Sequence, residues 1–162
     1  MNLWLVKLIL CVALTALPVR AATLVTPDPL IAPAEVVAIQ MTGLKHNDLD
    51  EPDFGIRQTW AFAHPQNRRL TGPLPRFAMM LKGPAFSLLL NHRAHQIRPA
   101  KTSPAGKNAS GAAWRKFDVV VETAQGDILY LSWVVQQVVG GPLQDCWMTV
   151  GVSAPRLVGQ SG

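Results

Sequence analysis

The stretch Asn91 to Arg98, NHRAHQIR, sets two histidines three residues apart beside an asparagine and two arginines. Such a group can hold a metal if both rings share a face with a third ligand. It can also bind an anion through a guanidinium fork and a switchable imidazole. Side chains alternate along a strand, so an odd separation sends His92 and His95 to opposite faces. No carboxylate or thiol lies close in sequence, and neither a metal site nor a cofactor is expected. Arg93 and His95 should share a face with Ile97, forming either an anion-binding wall or a polar rim exposed to water. Asn91 suits a cap on the preceding turn.

A second group comprises Trp60 and His64, four apart, together with Tyr130 and Trp133. Facing one another, they would make an apolar pocket with a few polar handles, the usual small-ligand arrangement. As structural residues, Trp60 is core and His64 closes a helix end, where imidazolium suits the dipole. Asp118, Tyr130 and His95 are the candidates for acid–base chemistry, if they converge. The chain has no Gly-x-Ser-x-Gly elbow, phosphate-cradling glycine loop or metalloprotease helix. Cys146 has no evident His or cationic neighbour and reads as a buried thiol. The acids of DLDEPD, residues 48–53, lack the spacing of a calcium loop.

The elements that would position these residues follow from pattern and punctuation. Leu8 to Leu17 is an apolar run of signal-peptide length after Lys7, and Val19 and Ala21 offer a cleavage site, so residues 1–21 read as an export signal. Removal of that segment lowers Lys plus Arg from 15 to 13 against 10 acids, a net charge of +3. This mild balance, without basic runs interleaved with aromatics, gives no case for nucleic acid. No membrane partner is expected once the signal is gone. Cys146 is then the only cysteine, which excludes an internal disulfide.

Residues 22–33 hold three prolines and read as an extended linker. Val36, Val37, Gln40, Met41 and Leu44 recur at helical spacing over 34–46. A second helix carries Ile56, Trp60 and Ala63 and stops at His64-Pro65. A third runs from Thr71-Gly72-Pro73 to Gly83-Pro84, with Phe77, Met80 and Leu81 inward. The period then changes. A first strand is expected within 91–100 and a Gly/Ser/Pro/Lys-rich loop over 101–111. Residues 114–122 and 128–135 form a hairpin about Gln125-Gly126-Asp127, and 146–152 is the last strand. Residues 154–162 read as a disordered tail. The sum is a single α+β domain over 34–153, three helices on an antiparallel sheet of about four strands. Both faces of the hairpin are apolar, which suggests a partner sheet or a homodimer.

The words QTWAFAHPQNR, TGPLPRFAMMLKGPAF, LLNHRAHQI and CWMT resemble a bacterial family, domain of unknown function 4864, over residues 33–153. Its helices-then-sheet order is similar to the nuclear transport factor 2-like superfamily, a curved sheet wrapped round a long helix to leave an open cone. That scaffold hosts isomerases, dehydratases, ligand binders and interaction modules, so the resemblance implies a fold and no single function. The leading expectation is a non-catalytic, exported, periplasmic or secreted domain that binds a small apolar or anionic ligand, or a protein. The ligand-facing candidates are Trp60, His64, Arg93, His95, Tyr130 and Trp133. The alternatives are a cofactor-independent isomerase, dehydratase or hydrolase-like enzyme, and a sheet-on-sheet dimer.

Overall fold

The computed structural model describes residues 23–49 and 51–161. The export signal read over 1–21 lies outside the described residues. Among the described residues, four helices precede six antiparallel strands: α1 Pro33–Lys45, α2 Phe54–Ala61, α3 Pro65–Thr71, α4 Leu74–Lys82, then β1 Ala94–Pro99, β2 Ala105–Lys107, β3 Ala113–Glu122, β4 Asp127–Gln137, β5 Trp147–Val152 and β6 Arg156–Gln160. A short 3-10 turn, Ser87–Leu89, joins the two halves.

The α+β class is as expected, and the differences in count have local causes. Phe62 to His64 leave the helix because their backbone pairs with β5: Thr149 N–H donates to Phe62 O and His64 N–H to Thr149 O, each at 2.8 Å. Pro65 then restarts the chain as α3, in the first helical position that its fixed φ favours. The sheet has four lanes, because β1 and β2 lie end to end along one edge of β3, and β5 and β6 along one edge of β4. The expected loop over 101–111 therefore contains β2. The tail read as disordered contains β6, whose backbone pairs with Asp127 to Tyr130 although its side chains are exposed. A solvent-facing edge strand carries little hydrophobic signal, and backbone pairing holds it.

Period-two alternation divides the sheet. Phe117, Val119 and Val121 of β3, with Leu129, Leu131, Trp133 and Val135 of β4, face the helices and are buried with Val36, Val37, Met41, Leu44 and Ile56. Each such side chain removed from water contributes about 2 kcal/mol. The opposite face is mixed: Trp114, Lys116, Asp118, Val120 and Glu122 on β3, and Ile128, Tyr130, Ser132, Val134 and Gln136 on β4. The charges among them make this face less apolar than the hairpin sequence suggests.

The linker ahead of α1 is held in place. Gln58, buried on α2, donates to Val25 O and accepts from Val25 N–H, both at 2.9 Å, mimicking a strand partner. Beside Gln58, α1 and α2 meet backbone to backbone. A Cβ on Gly55 would lie 2.0 Å from the Gly43 carbonyl oxygen. Backbone atoms cannot yield as a flexible side chain would, so Gly55→Ala is expected to lower unfolding free energy by about 3 kcal/mol or more, measured by urea denaturation. The same change at Gly111, where a Cβ meets nothing within 4 Å but φ is +80°, should cost less, about 1 kcal/mol.

Candidate functional site

The inner face of β4 and β5 does not pack flush against the helices. A cavity of about 180 Å3 remains between α1, α2, α3, α4, the 86–89 turn and the sheet. Leu44, Phe77, Leu81, Leu89 and Trp133 supply its apolar walls, and Gln40, Thr59, Asn67, Thr71 and Thr149 its polar atoms. None of its lining residues is ionisable.

Thr149 organises the polar side. Its Oγ1 accepts from Trp133 Nε1 and from Gln40 Nε2, both at 2.8 Å, and donates to Gln40 Oε1 at 3.1 Å. Gln40 Nε2 also donates to the Val36 carbonyl at 3.1 Å. A hydroxyl has one donor and two acceptor positions, and all three are used. All three side chains are buried. Thr59 and Thr71 return their hydroxyls to carbonyls one turn back on the chain, Gly55 and Asn67. Asn67, half-buried, donates to Thr149 O at 3.3 Å.

Of the site candidates named from the sequence, only Trp133 lines this cavity. Trp60 sits outside it, tilted against Phe77 at 5.2 Å with the Arg68 guanidinium 5.1 Å from its ring. Arg68 in turn donates to the Trp60 and Ala61 carbonyls that end α2. His64 does not close α2. It caps the start of α3, where Nδ1 accepts Gln66 N–H at 3.1 Å. The extended Phe62–His64 bridge to β5 decides this, since it separates the imidazole from the preceding helix. That acceptor role suits a neutral ring, and burial, then the charge of Arg69, lowers its pKa. Its buried Nε2 has no partner among the described residues.

Asp118 and Tyr130 stand on the outer face, away from the cavity. Tyr130 OH donates to Asp118 Oδ1 at 2.6 Å, and Arg156 of β6 lies 5.2 Å over the phenol ring. The hydrogen bond to Asp118 raises the Tyr130 pKa. This group cross-links β3, β4 and β6. His95, whose cross-strand neighbour is buried Val121, lies on the inner face. The acid–base candidates are thus divided by the sheet.

Three expectations about NHRAHQIR are corrected. His92 and His95 converge, with His92 Nε2 2.8 Å from His95 Nδ1. The alternation argument fails because His92 precedes the strand: Asn91 turns the chain at φ 54° and β1 starts only at Ala94. Arg93 and His95 do not form one wall either, since Arg93 turns to Glu122 Oε1 at 2.8 Å. Asn91 donates its amide to Asp48 rather than capping the turn, at 2.9 Å.

The tautomers of the histidine pair follow from its partners. His92 Nδ1 lies 2.7 Å from the Leu89 carbonyl, which can only accept, so Nδ1 carries the proton. A neutral His92 then accepts at Nε2 from His95 Nδ1–H. Burial drives the His92 pKa down to about 4 against the stabilising Leu89 bond, with smaller repulsion from His95, Lys45 and His46. Burial, then Lys45 and His46, also lowers His95. The pair is neutral at pH 7. One added proton preserves a donor–acceptor contact, but a second sets two N–H groups against each other.

Gln40 and Thr149 are the site residues that sequence reasoning missed. The signal was present, because Gln40 stands on the apolar stripe of α1, and an amide on a buried face requires a partner. No signal named Thr149 as that partner, 109 residues away. Compared with known proteins, the chain matches no family model, no curated protein and no solved structure.

Thr149→Val retains the shape of the side chain but leaves Trp133 Nε1 and Gln40 without their buried partner. Stability should fall by about 2–3 kcal/mol in chemical denaturation. The histidine pair predicts an acid-labile fold. The folded His92 pKa, about 4, lies below the unfolded 6.5, so its stabilisation is present above pH 6.5 and lost as pH falls through 4. The loss attributable to His92 is about 3 kcal/mol. In His92→Gln, the slope of unfolding free energy between these pH values should flatten.

Proposed function

We propose that this is a non-catalytic ligand-binding domain that holds a small, largely apolar molecule against Trp133 in the α1–β4–β5 cavity. The single observation that carries the reading is a pocket walled by Leu, Phe and Trp side chains and lacking any ionisable lining residue. Its volume, about 180 Å3, is close to the roughly 150 Å3 of an apolar protein cavity that takes up benzene. A single substituted ring or a short acyl segment suits it, and Asn67 is the nearest amide able to orient a polar substituent. The helices-then-sheet order supports a cone of the nuclear transport factor 2-like kind. The Leu8–Leu17 run supports an exported location.

The acid–base alternative requires Asp118, Tyr130, His64 and His95 around one cavity, and none of the four lines this one. The sheet-on-sheet dimer would use an outer face in which Lys116, Asp118 and Glu122 alternate with Trp114 and Val120. Asp118 and Glu122 already have partners in Tyr130 and Arg93, and a second sheet would have to desolvate them with Lys116.

Titration with indole or benzene should raise the melting temperature in a saturable way, by about 3 kcal/mol of stabilisation at a hundredfold excess over Kd. Ala63→Leu extends a lining side chain and should abolish the effect while the far-ultraviolet spectrum is unchanged. An equal rise in the plugged variant, or none with any apolar probe in the parent, would refute the proposal.

A further inference from the structure

α3 has two faces in use. Asn67 and Thr71, four apart, line the apolar cavity. Pro65, Gln66 and Arg69, with His64, form one wall of a second cleft of about 290 Å3. Its other walls are Asn108 and Ser110 of the β2–β3 turn, and Gln136 with Val138 to Gly140 at the end of β4. The cleft and the apolar cavity share no lining residue.

Hydrogen bonds around this cleft occupy the amide oxygens of two of its walls and leave donors over. Asn108 Oδ1 accepts three times, from Ser110 N–H at 3.0 Å, Ser110 Oγ–H at 2.7 Å and Ala112 N–H at 2.9 Å. Gln136 Oε1 accepts from Asn108 Nδ2 at 3.1 Å. Gln136 Nε2 and the exposed Arg69 guanidinium have no partner among the described residues. Gln66, also exposed, keeps a whole amide that can turn either end inward. No Asp or Glu lines the cleft.

His64 supplies an independent sign. The residue is 8% exposed, so more than nine-tenths of it is buried. Its Nδ1 accepts Gln66 N–H, so the neutral ring carries its proton on Nε2. That N–H is buried without an acceptor among the described residues. Such orphaned donors are costly and rare in folded proteins. With Nδ1 turned to the α3 backbone, the edge that carries Nε2 is the one the ring can present to the cleft. The Arg69 charge is close enough to reinforce burial in keeping the imidazole neutral.

We propose that this cleft binds an oxyanion, a carboxylate or phosphate group, between the Arg69 guanidinium, His64 Nε2–H and Gln136 Nε2–H. A guanidinium offers two parallel N–H donors to such a group, and neutral donors beside one cation suit a single negative charge. A cation would meet no carboxylate here, and an uncharged ligand would leave the guanidinium without a counter-charge. Val138 and Val139, the latter 70% exposed, give an apolar surface for a short aliphatic body. The α3 backbone is not the anchor, because Gln66 N–H is already bonded to His64. The spacing of the sequence hides the site, since its walls come from three separate segments.

Titration of the full chain with sodium phosphate and, separately, sodium butyrate tests the proposal, followed by imidazole and backbone amide shifts in magnetic resonance. The His64 Nε2–H proton is expected to move downfield, saturably, with at least one of the two salts. Which salt acts tells a phosphate ligand from a carboxylate. Sodium chloride at matched ionic strength should not reproduce the shift. Arg69→Gln should weaken binding about tenfold or more. His64→Asn keeps an oxygen to cap Gln66 N–H but deletes Nε2–H, and should weaken binding comparably with α3 retained. Arg98→Gln, an equal loss of charge on β1, should leave affinity unchanged. No saturable shift with either salt, the same response to chloride, an equal loss in Arg98→Gln, or full affinity in Arg69→Gln would overturn it.

Discussion

The fold turns on one residue of β5. The Thr149 backbone closes the bridge with Phe62 and His64, and its hydroxyl completes a buried triangle with Gln40 and Trp133. The first contact stops α2 and sets α3 beside β5. The second locks α1 against the inner face at a polar point. A hydroxyl with every hydrogen-bond position filled tolerates little displacement, and the cost of an unpaired buried donor preserves the arrangement. The cavity lies beside this triangle, and Gln40, Trp133 and Thr149 all line it.

The histidine pair does comparable work at the other end of α1. Asn91 N–H donates to Leu44 O, His92 donates to Leu89 O, and His95 meets His92 from β1. Two neutral imidazoles thus fasten the 3-10 turn to the first strand, and the Asn91 backbone fastens the same segment to the end of α1. Leu44 and Leu89, whose carbonyls these bonds use, both wall the cavity. An element that resembles half a metal site in sequence acts as a proton-sensitive clasp behind the pocket wall.

Much of the architecture is legible in the residues because it rests on local periodicity. The stripe Val36, Val37, Gln40, Met41, Leu44 gives α1, and alternating apolar residues about Gln125-Gly126-Asp127 give the β3–β4 hairpin. The misreadings fall where one backbone meets another. Phe62 to His64 read as helix until β5 is seen to claim their hydrogen bonds. Arg156 to Gln160 read as tail because an edge strand needs only the groups that every residue carries. His92 was assigned to a strand that begins two residues later. Each error is of a few residues, and those at Phe62–His64 and at His92 moved a candidate side chain to a different place.

The sequence by itself determined the α+β class, the order of helices before strands, the inner face of α1, and the buried state of Cys146. These depend on near-neighbour spacing and on burial of apolar surface, which a chain displays in its pattern. Only the tertiary structure decided which polar residues matter. It joined Gln40 to Thr149, brought His92 to His95, and set Asp118 with Tyr130 on the far side of the sheet from the pocket. A hydrogen bond is short and directional, and its partners lie up to 109 residues apart in this chain. Spacing along the sequence therefore carries almost no information about which donor meets which acceptor.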